Sequence, residues 1–216
     1  MSKKLILFGN GKNIKFVCKT LEINKVFVDG FCVDDDYHTD SVFLNKPVYK
    51  FSEFIKSYSP DEYQMFSPMG ANNRCQSRKS IYERFKQLNY NFYTFINPAA
   101  GINTDLENIG ENVYIGWGAG LHPDVTVKDN CYIGERALIA HDTVINKHSY
   151  IGATTVIGGS CVIGECVSMG IGVIIRTDTT IVSDTAIGMG VLIHNNIEKS
   201  GTFVFSPLEK KWYGKH

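Results

Sequence analysis

The chain has 216 residues, room for one large domain or two small ones. Apolar residues make up 44% and charged residues 20%, so a packed core is expected and disorder is not. Lys+Arg and Asp+Glu each total 22, and a formal charge of zero argues against a nucleic-acid partner, which calls for a basic excess. No apolar run reaches the roughly 18 residues of a membrane span. The apolar stretch behind Met1-Ser2-Lys3-Lys4 is too short for a secretory leader, so no membrane insertion and a cytoplasmic location are expected. The six cysteines (Cys18, Cys32, Cys75, Cys131, Cys161, Cys166) form no C-x-x-C pair and read as buried free thiols.

The first 96 residues alternate between strand and helix patterns. Lys4-Leu5-Ile6-Leu7-Phe8 reads as a strand, followed by Gly9-Asn10-Gly11 and a helix over 13–21. A second strand region covers 26–33 and runs into Asp34-Asp35-Asp36. A short helix is predicted over 52–57, a strand over 64–66, an amphipathic helix over 78–88 and a last strand over 92–95. This order predicts a small parallel α/β domain over residues 1–96. A glycine turn between a first strand and a helix resembles a phosphate-cradling loop, in which backbone N–H groups at the helix start hold an anion. Here the third glycine of G-x-G-x-x-G is replaced by Ile14, so a purely structural turn fits equally well. The acidic run allows either contact with a ribose or base, or a solvated loop.

Asn97-Pro98-Ala99-Ala100 leads into a different pattern over residues 97–216. From Ile109 to Ile193 an aliphatic residue or methionine recurs every six positions, giving fifteen hexads without insertion. The fifth place of each hexad is mostly small or β-branched, from Val113 and Ala119 to Val191 and Ile197. The second place is often glycine, as in Gly110, Gly134, Gly152 and Gly158, and is expected to supply turn dihedrals. A period of six excludes an amphipathic helix, whose stripe returns at about 3.6 residues. It fits short strands separated by turns, each pointing one large and one small residue inward. Three hexads make one triangular coil, so about five coils are expected, in a prism roughly 24 Å tall. Cys131 and Cys161, both in the fifth place, are core filler on different sides of that triangle.

The unbroken hexad run resembles the left-handed parallel β-helix of the hexapeptide acyltransferases. A short Rossmann-like domain joined to such a β-helix is similar to the sialic acid O-acetyltransferase group (NeuD-type), which includes the sugar N-acetyltransferase of bacillosamine biosynthesis (PglD-type). The resemblance implies an α/β Rossmann-like domain that binds a nucleotide-sugar, an all-β acyltransferase domain that uses acetyl-CoA, and a homotrimer. It carries the nucleotide contacts onto Gly9, Asn10, Gly11, Asp34 and Asp35. Met69-Gly70-Ala71-Asn72-Asn73 looks like the family's third strand and the loop behind it.

Acyl transfer from a thioester to an amine or hydroxyl needs a base for the acceptor's proton and a donor for the developing oxyanion. Among His122, His141, His148 and His194, His141 stands in an outward turn place and is followed by Asp142. The family has its base in such a His-Asp or His-Glu pair, so the resemblance makes His141 the base, oriented by a carboxylate such as Asp142. Gly159 lies eighteen residues further on and stacks on His141, as an oxyanion donor. Arg176 and Lys210 are the candidates for the CoA phosphates. Tyr150 and Gly134 stand where relatives carry a second His and an Asn, and the Tyr150 hydroxyl is expected in the acceptor pocket. The acceptor implied is a nucleotide-linked amino sugar, for example a UDP- or dTDP-4-amino-4,6-dideoxy sugar. The alternatives are O-acetylation of a sialic acid, a non-catalytic scaffold, and a γ-carbonic-anhydrase-type metal enzyme. The last needs three converging histidines, a spacing this chain lacks, and no metal is expected.

Overall fold

The computed structural model describes residues 3–71 and 75–203. Its first part is a six-stranded sheet. The strands are β1 (Lys4–Phe8), β2 (Gly30–Val33), β3 (Val42–Phe43), β4 (Lys46–Lys50), β5 (Tyr63–Phe66) and β6 (Asn91–Phe92), in the order β3-β4-β2-β1-β5-β6. All neighbours pair in parallel except β3 and β4. The helices are α1 (Lys12–Ile23), α2 (Phe51–Ser57) and α3 (Gln76–Gln87).

Alternation along β1 explains the layers. Leu5 and Leu7 face the apolar stripe of α1, made by Ile14, Val17, Cys18 and Leu21 at helical spacing. Ile6 and Phe8 face the other way, into a cluster with Phe54 of α2 and Ile81 and Phe85 of α3. Two expectations need correction. The β3–β4 hairpin was not anticipated, because its two-residue turn is Leu44-Asn45, both in the left-handed region (φ 50° and 59°), where Asn-Gly is the usual signal. The strand expected over 92–95 is split: Asn91–Phe92 pairs with β5, while Phe95–Ile96 pairs with Tyr114–Ile115 in the next sheet.

From Phe95 to Phe203 two-residue strands stack into three parallel sheets of six, four and seven strands. Partners are eighteen residues apart, as in Leu121 with Ile139, Ile145 with Ile163 and Ile133 with Ile151, so three hexads form one coil. This arrangement fits the left-handed parallel β-helix. The first and fifth places point inward and form one continuous core. Polar members of the fifth place are satisfied inside it: Thr143 Oγ1 donates to Gly158 O (3.0 Å), Ser149 Oγ to Gly164 O (2.9 Å) and Thr155 Oγ1 to Gly170 O (3.1 Å). Cys131 and Cys161 sit in the same place, and all six cysteines are buried and free. The last coil is short, since Ile197 pairs with Ile181 and Phe203 with Ile187, sixteen residues away.

The glycines of the second place have a role other than the one expected. The left-handed dihedrals fall two places later, on Asn112, Asp124, Asn130, Arg136, Asp142, His148, Thr154 and their successors. The second place instead faces the backbone of the next coil. A Cβ on Gly152 would come within 2.5 Å of the Gly170 carbonyl, and one on Gly158 within 2.5 Å of Thr177 N. Glycine is needed there for close approach, not for its dihedral range.

The β-helix joins the α/β part along one face and one edge. On the face, Tyr114, Tyr132 and Tyr150 stack at 4.5 and 4.7 Å, and Tyr114 and Tyr132 share a cluster with α1 and β1. On the edge, α3 packs against the turns that carry Asn130, His148 and Glu165.

Candidate active site

His141 and Asp142 occupy the third and fourth places of their hexad, in the turn between the strands Leu138–Ile139 and Val144–Ile145. Asp142 is in the left-handed region (φ 57°), and its N–H donates to Pro123 O at 3.2 Å. That conformation turns its carboxylate back on the neighbouring ring, with His141 Nδ1 2.7 Å from Asp142 Oδ2. A carboxylate only accepts, so Nδ1 carries the hydrogen and Nε2 is left as the basic nitrogen. Both side chains are well exposed.

One coil on, Gly159 lies against the ring. A Cβ there would stand 2.7 Å from His141 Cε1 and Nε2, so only glycine leaves the imidazole this position. The coils are tied at this point by Ser160 N donating to His141 O at 2.8 Å. The Gly159 N–H has no partner among the described residues. Arg176 follows in the second place of the next coil, exposed and above Gly158. His122 and His194 stand in the same column as Arg176, three coils below it and one coil above it. Lys210 lies outside the described residues.

Tyr150 is not brought to His141. It stands on a different side of the prism, in the tyrosine ladder, with the Arg78 guanidinium 6.0 Å from its ring centre. Burial raises its hydroxyl pKa and leaves it a packing partner of the α/β part. His148 is likewise on another edge, 3% exposed, with Nδ1 2.7 Å from Asn130 Nδ2. Burial pushes its pKa down to about 4. Within one chain the four β-helix histidines therefore do not converge, and the described residues hold no group of three or more His, Cys, Asp or Glu fit for a metal ion.

The α/β part carries a cleft of about 500 Å³. Gly9, Asn10 and Gly11 line it where α1 begins, with Asp34, Tyr37 and Met69 around them. Gly9 has φ 108°, a conformation open to glycine, and its N–H donates to Cys32 O at 2.8 Å. Gly11 is the N-cap of α1 and brings no capping side chain, so the first N–H groups of the helix lie at the cleft without a partner among the described residues, an arrangement suited to an anion. Asp34 lines the cleft and pairs with Arg84 at 2.7 Å. Asp35 does not line it: its Oδ1 accepts the Ser52 N–H at 3.0 Å at the start of α2, and the Ser52 hydroxyl together with that N–H lowers its pKa. Sequence patterns gave no sign of Tyr37 or Ser77 as cleft residues, because loop and helix positions acquire that role only through the sheet order.

No residue of the His141 turn lines the cleft. The α/β part covers the tyrosine face and the His148 edge, and His141 stands on the edge opposite that face.

Fold and turn-borne His–Asp pair together define a hexapeptide-repeat β-helix protein with an N-terminal parallel α/β unit. The family model described as bacterial transferase hexapeptide (six repeats) matches residues 108–141. No curated protein sequence matches the chain. Among solved structures, PerB from Caulobacter crescentus in complex with CoA and GDP-perosamine has a TM-score of 0.81 at 20% identity, covering 96% of each chain. The acetyltransferase domain of PglB from Neisseria gonorrhoeae FA1090 in complex with acetyl coenzyme A has a TM-score of 0.82 at 22% identity, covering 95% of this chain and 97% of that one. WeeI from Acinetobacter baumannii AYE has a TM-score of 0.55 at 16% identity, covering 95% and 98%. At these identities the likeness establishes a shared fold over nearly the whole chain.

Proposed function

We propose that this chain is an acetyl-CoA-dependent N-acetyltransferase acting on a nucleotide-linked amino sugar. The observation that carries the reading is the His141–Asp142 pair at 2.7 Å, with Nε2 unblocked and the ring resting on Gly159. Two similar structures support it: PerB is a perosamine N-acetyltransferase, solved with CoA and GDP-perosamine, and the PglB domain is an acetyltransferase domain solved with acetyl coenzyme A. Structures of the Caulobacter enzyme with one histidine replaced by Asn or Ala support a histidine in the chemistry.

In this reading residues 1–96 are a Rossmann-like nucleotide-sugar domain and residues 97–216 the acyltransferase domain. Gly9, Asn10 and Gly11 hold the phosphates at the start of α1, and Asp34 meets the nucleoside beyond them. His141 Nε2 takes a proton from the sugar amine as the new C–N bond forms at the thioester carbonyl. Asp142 holds the ring and stabilises the imidazolium. Gly159 N–H donates to the oxyanion of the tetrahedral intermediate. The C–S bond then breaks, and the CoA thiolate leaves with the proton from His141. Arg176 and Lys210 are the candidates for the CoA phosphates. Because one chain keeps its cleft and its His141 apart, the sugar reaches a base on a neighbouring subunit, in a homotrimer. The exposed column Leu138, Val156, Ile174 and Leu192 beside the His141 edge is an apolar surface suited to that contact. A CoA-dependent reaction also fits a cytoplasmic site.

The test is thiol release from acetyl-CoA against nucleotide-linked 4-amino and 3-amino sugars and free and CMP-linked sialic acid. Turnover with an amino sugar, abolished in His141→Ala, is expected. Turnover with sialic acid alone would transfer the same mechanism to a hydroxyl, and no turnover without CoA binding would leave a scaffold.

A further inference from the structure

Helix α3 lines two adjoining cavities. The first is the cleft at the start of α1. The second, of about 420 Å³, continues along α3 and shares Asp34, Ser77 and Ile81 with the first. Gln76, Ser80 and Arg84 complete its wall, so Ile81 is its one apolar residue. A group seated there is held by hydrogen bonds more than by apolar contact.

Arg84 is fixed in orientation. Its guanidinium lies 3.9 Å from the centre of the Phe51 ring, and Nη1 donates to Asp34 Oδ1 at 2.7 Å. Its remaining N–H donors have no partner among the described residues. A planar fork held on an aromatic ring and pinned at one nitrogen meets little further entropy cost on binding. It suits a planar ligand edge with two adjacent acceptors.

This inference rests on the nucleotide-sugar reading. A nucleoside diphosphate with its phosphates at Gly9–Gly11 and its ribose beside Asp34 brings its base into the second cavity. Two acceptors stand side by side on one edge in guanine, as O6 and N7, and in cytosine, as N3 and O2. Adenine has its amino donor beside N7 and N1, and uracil or thymine has an N–H between its two carbonyls. We propose that the second cavity is a base-recognition site in which Arg84 selects a base with two adjacent acceptors, guanine or cytosine, so that the substrate is a guanosine- or cytidine-nucleotide-linked sugar. Ser77 and Ser80 stand beside the base as further hydroxyl partners.

The experiment is calorimetric titration of the full-length protein with GDP, UDP, dTDP, CDP and ADP, repeated with Arg84→Lys. Lysine keeps the cation beside Asp34 but lacks the planar fork. Wild type is expected to bind GDP or CDP about ten-fold more tightly than UDP, dTDP and ADP, or better. Arg84→Lys should bring the preferred nucleotide to parity with UDP while UDP affinity and the thermal midpoint stay where they were, a change that a merely structural Arg84 would not produce. Affinity of the wild type for UDP, dTDP or ADP equal to that for GDP and CDP overturns the proposal, and so does a preference that survives in Arg84→Lys. Failure of every nucleoside diphosphate to bind would instead refute the nucleotide-sugar reading, and this inference with it.

Discussion

His148 makes the acid stability of this protein calculable. Asn130 Nδ2 donates both to Arg78 O (3.2 Å) and to His148 Nδ1 (2.7 Å), while Asn130 Oδ1 accepts from Asn112 Nδ2 (2.7 Å). Those partners fix the amide, so His148 Nδ1 must be unprotonated. Burial keeps the ring neutral, and the nearby Lys79, Arg78 and Lys147 add to that against the attraction of Glu165. The folded pKa is about 4, against 6.5 for the unfolded chain. Above the unfolded value both states are neutral and His148 adds no pH dependence. Below it the unfolded chain takes up a proton that the folded chain refuses, so stability falls as pH drops from 6.5 towards 4. One pKa unit is worth about 1.36 kcal/mol, so the loss from neutral pH to about pH 5 is about 2 kcal/mol. Glu165, whose pKa is lowered by its hydrogen bond to Lys79, begins to lose its contribution as pH falls through the ordinary value of 4.5, below the pH 5 end of the assay interval. His148→Asn removes the titration, and Asn tolerates the left-handed backbone (φ 64°). Urea unfolding at about pH 8 and about pH 5 is the assay, and the variant should lose about 2 kcal/mol less than wild type over that interval. Equal losses in the two proteins would show that His148 is protonated in the fold, and the assignment of the seam would be wrong.

Three further substitutions separate chemistry from architecture. Gly159→Ala puts a Cβ 2.7 Å from the His141 ring, which is exposed and swings aside. Thiol release should fall about 100-fold with an unchanged thermal midpoint. Asp142→Asn suits the same backbone but removes the charge that orients Nδ1, and kcat should fall roughly ten-fold or more while KM holds. Gly152→Ala meets only backbone at 2.5 Å, whereas Gly101→Ala meets nothing within 4 Å. Denaturant unfolding should give a loss of about 3 kcal/mol or more for the first and almost none for the second.

The β-helix was legible because its physics repeats. An inward residue every sixth position is visible from Ile109 to Ile193, and the eighteen-residue coil follows from three sides. The same regularity misled about glycine. Gly134, Gly152 and Gly158 recur beside the turns, yet the left-handed residues are Arg136, Thr154 and Ser160, two places on, where sequence alone carries no sign of strain. The place in the hexad also predicted that Gly159 would lie on His141, a contact the geometry reproduces. In the α/β part, β1, α1, α2, β5 and α3 were readable from local patterns. The β3–β4 hairpin was not, because Leu44-Asn45 is an unusual pair for its turn.

What sequence could not reveal is the seam, and the seam decides which groups lie together. Tyr150 looks like a candidate for an acceptor pocket when only its distance along the chain from His141 is counted. Its hexad place puts it on the face where Tyr114 and Tyr132 form a ladder under the α/β part. Arg78 looks like one more cation of an amphipathic helix, yet it is fully buried, with Nη2 donating to Asn130 O at 2.8 Å. Nε and Nη1 of Arg78 have no hydrogen-bond partner among the described residues, and the Nη2 bond to Asn130 O ties α3 to one edge of the prism. That attachment turns the opposite face of α3, with Ser77, Ile81 and Arg84, towards the cleft. The residues that fasten α3 and the residues that shape its ligand surface therefore alternate along one helix. A change on the fastening side, such as protonation of His148, should weaken nucleotide binding without touching a single cleft residue. Comparing GDP affinity at about pH 7 and about pH 5 in wild type and His148→Asn tests this: the wild type should weaken more. Equal weakening would mean that the seam and the cleft respond to acid independently.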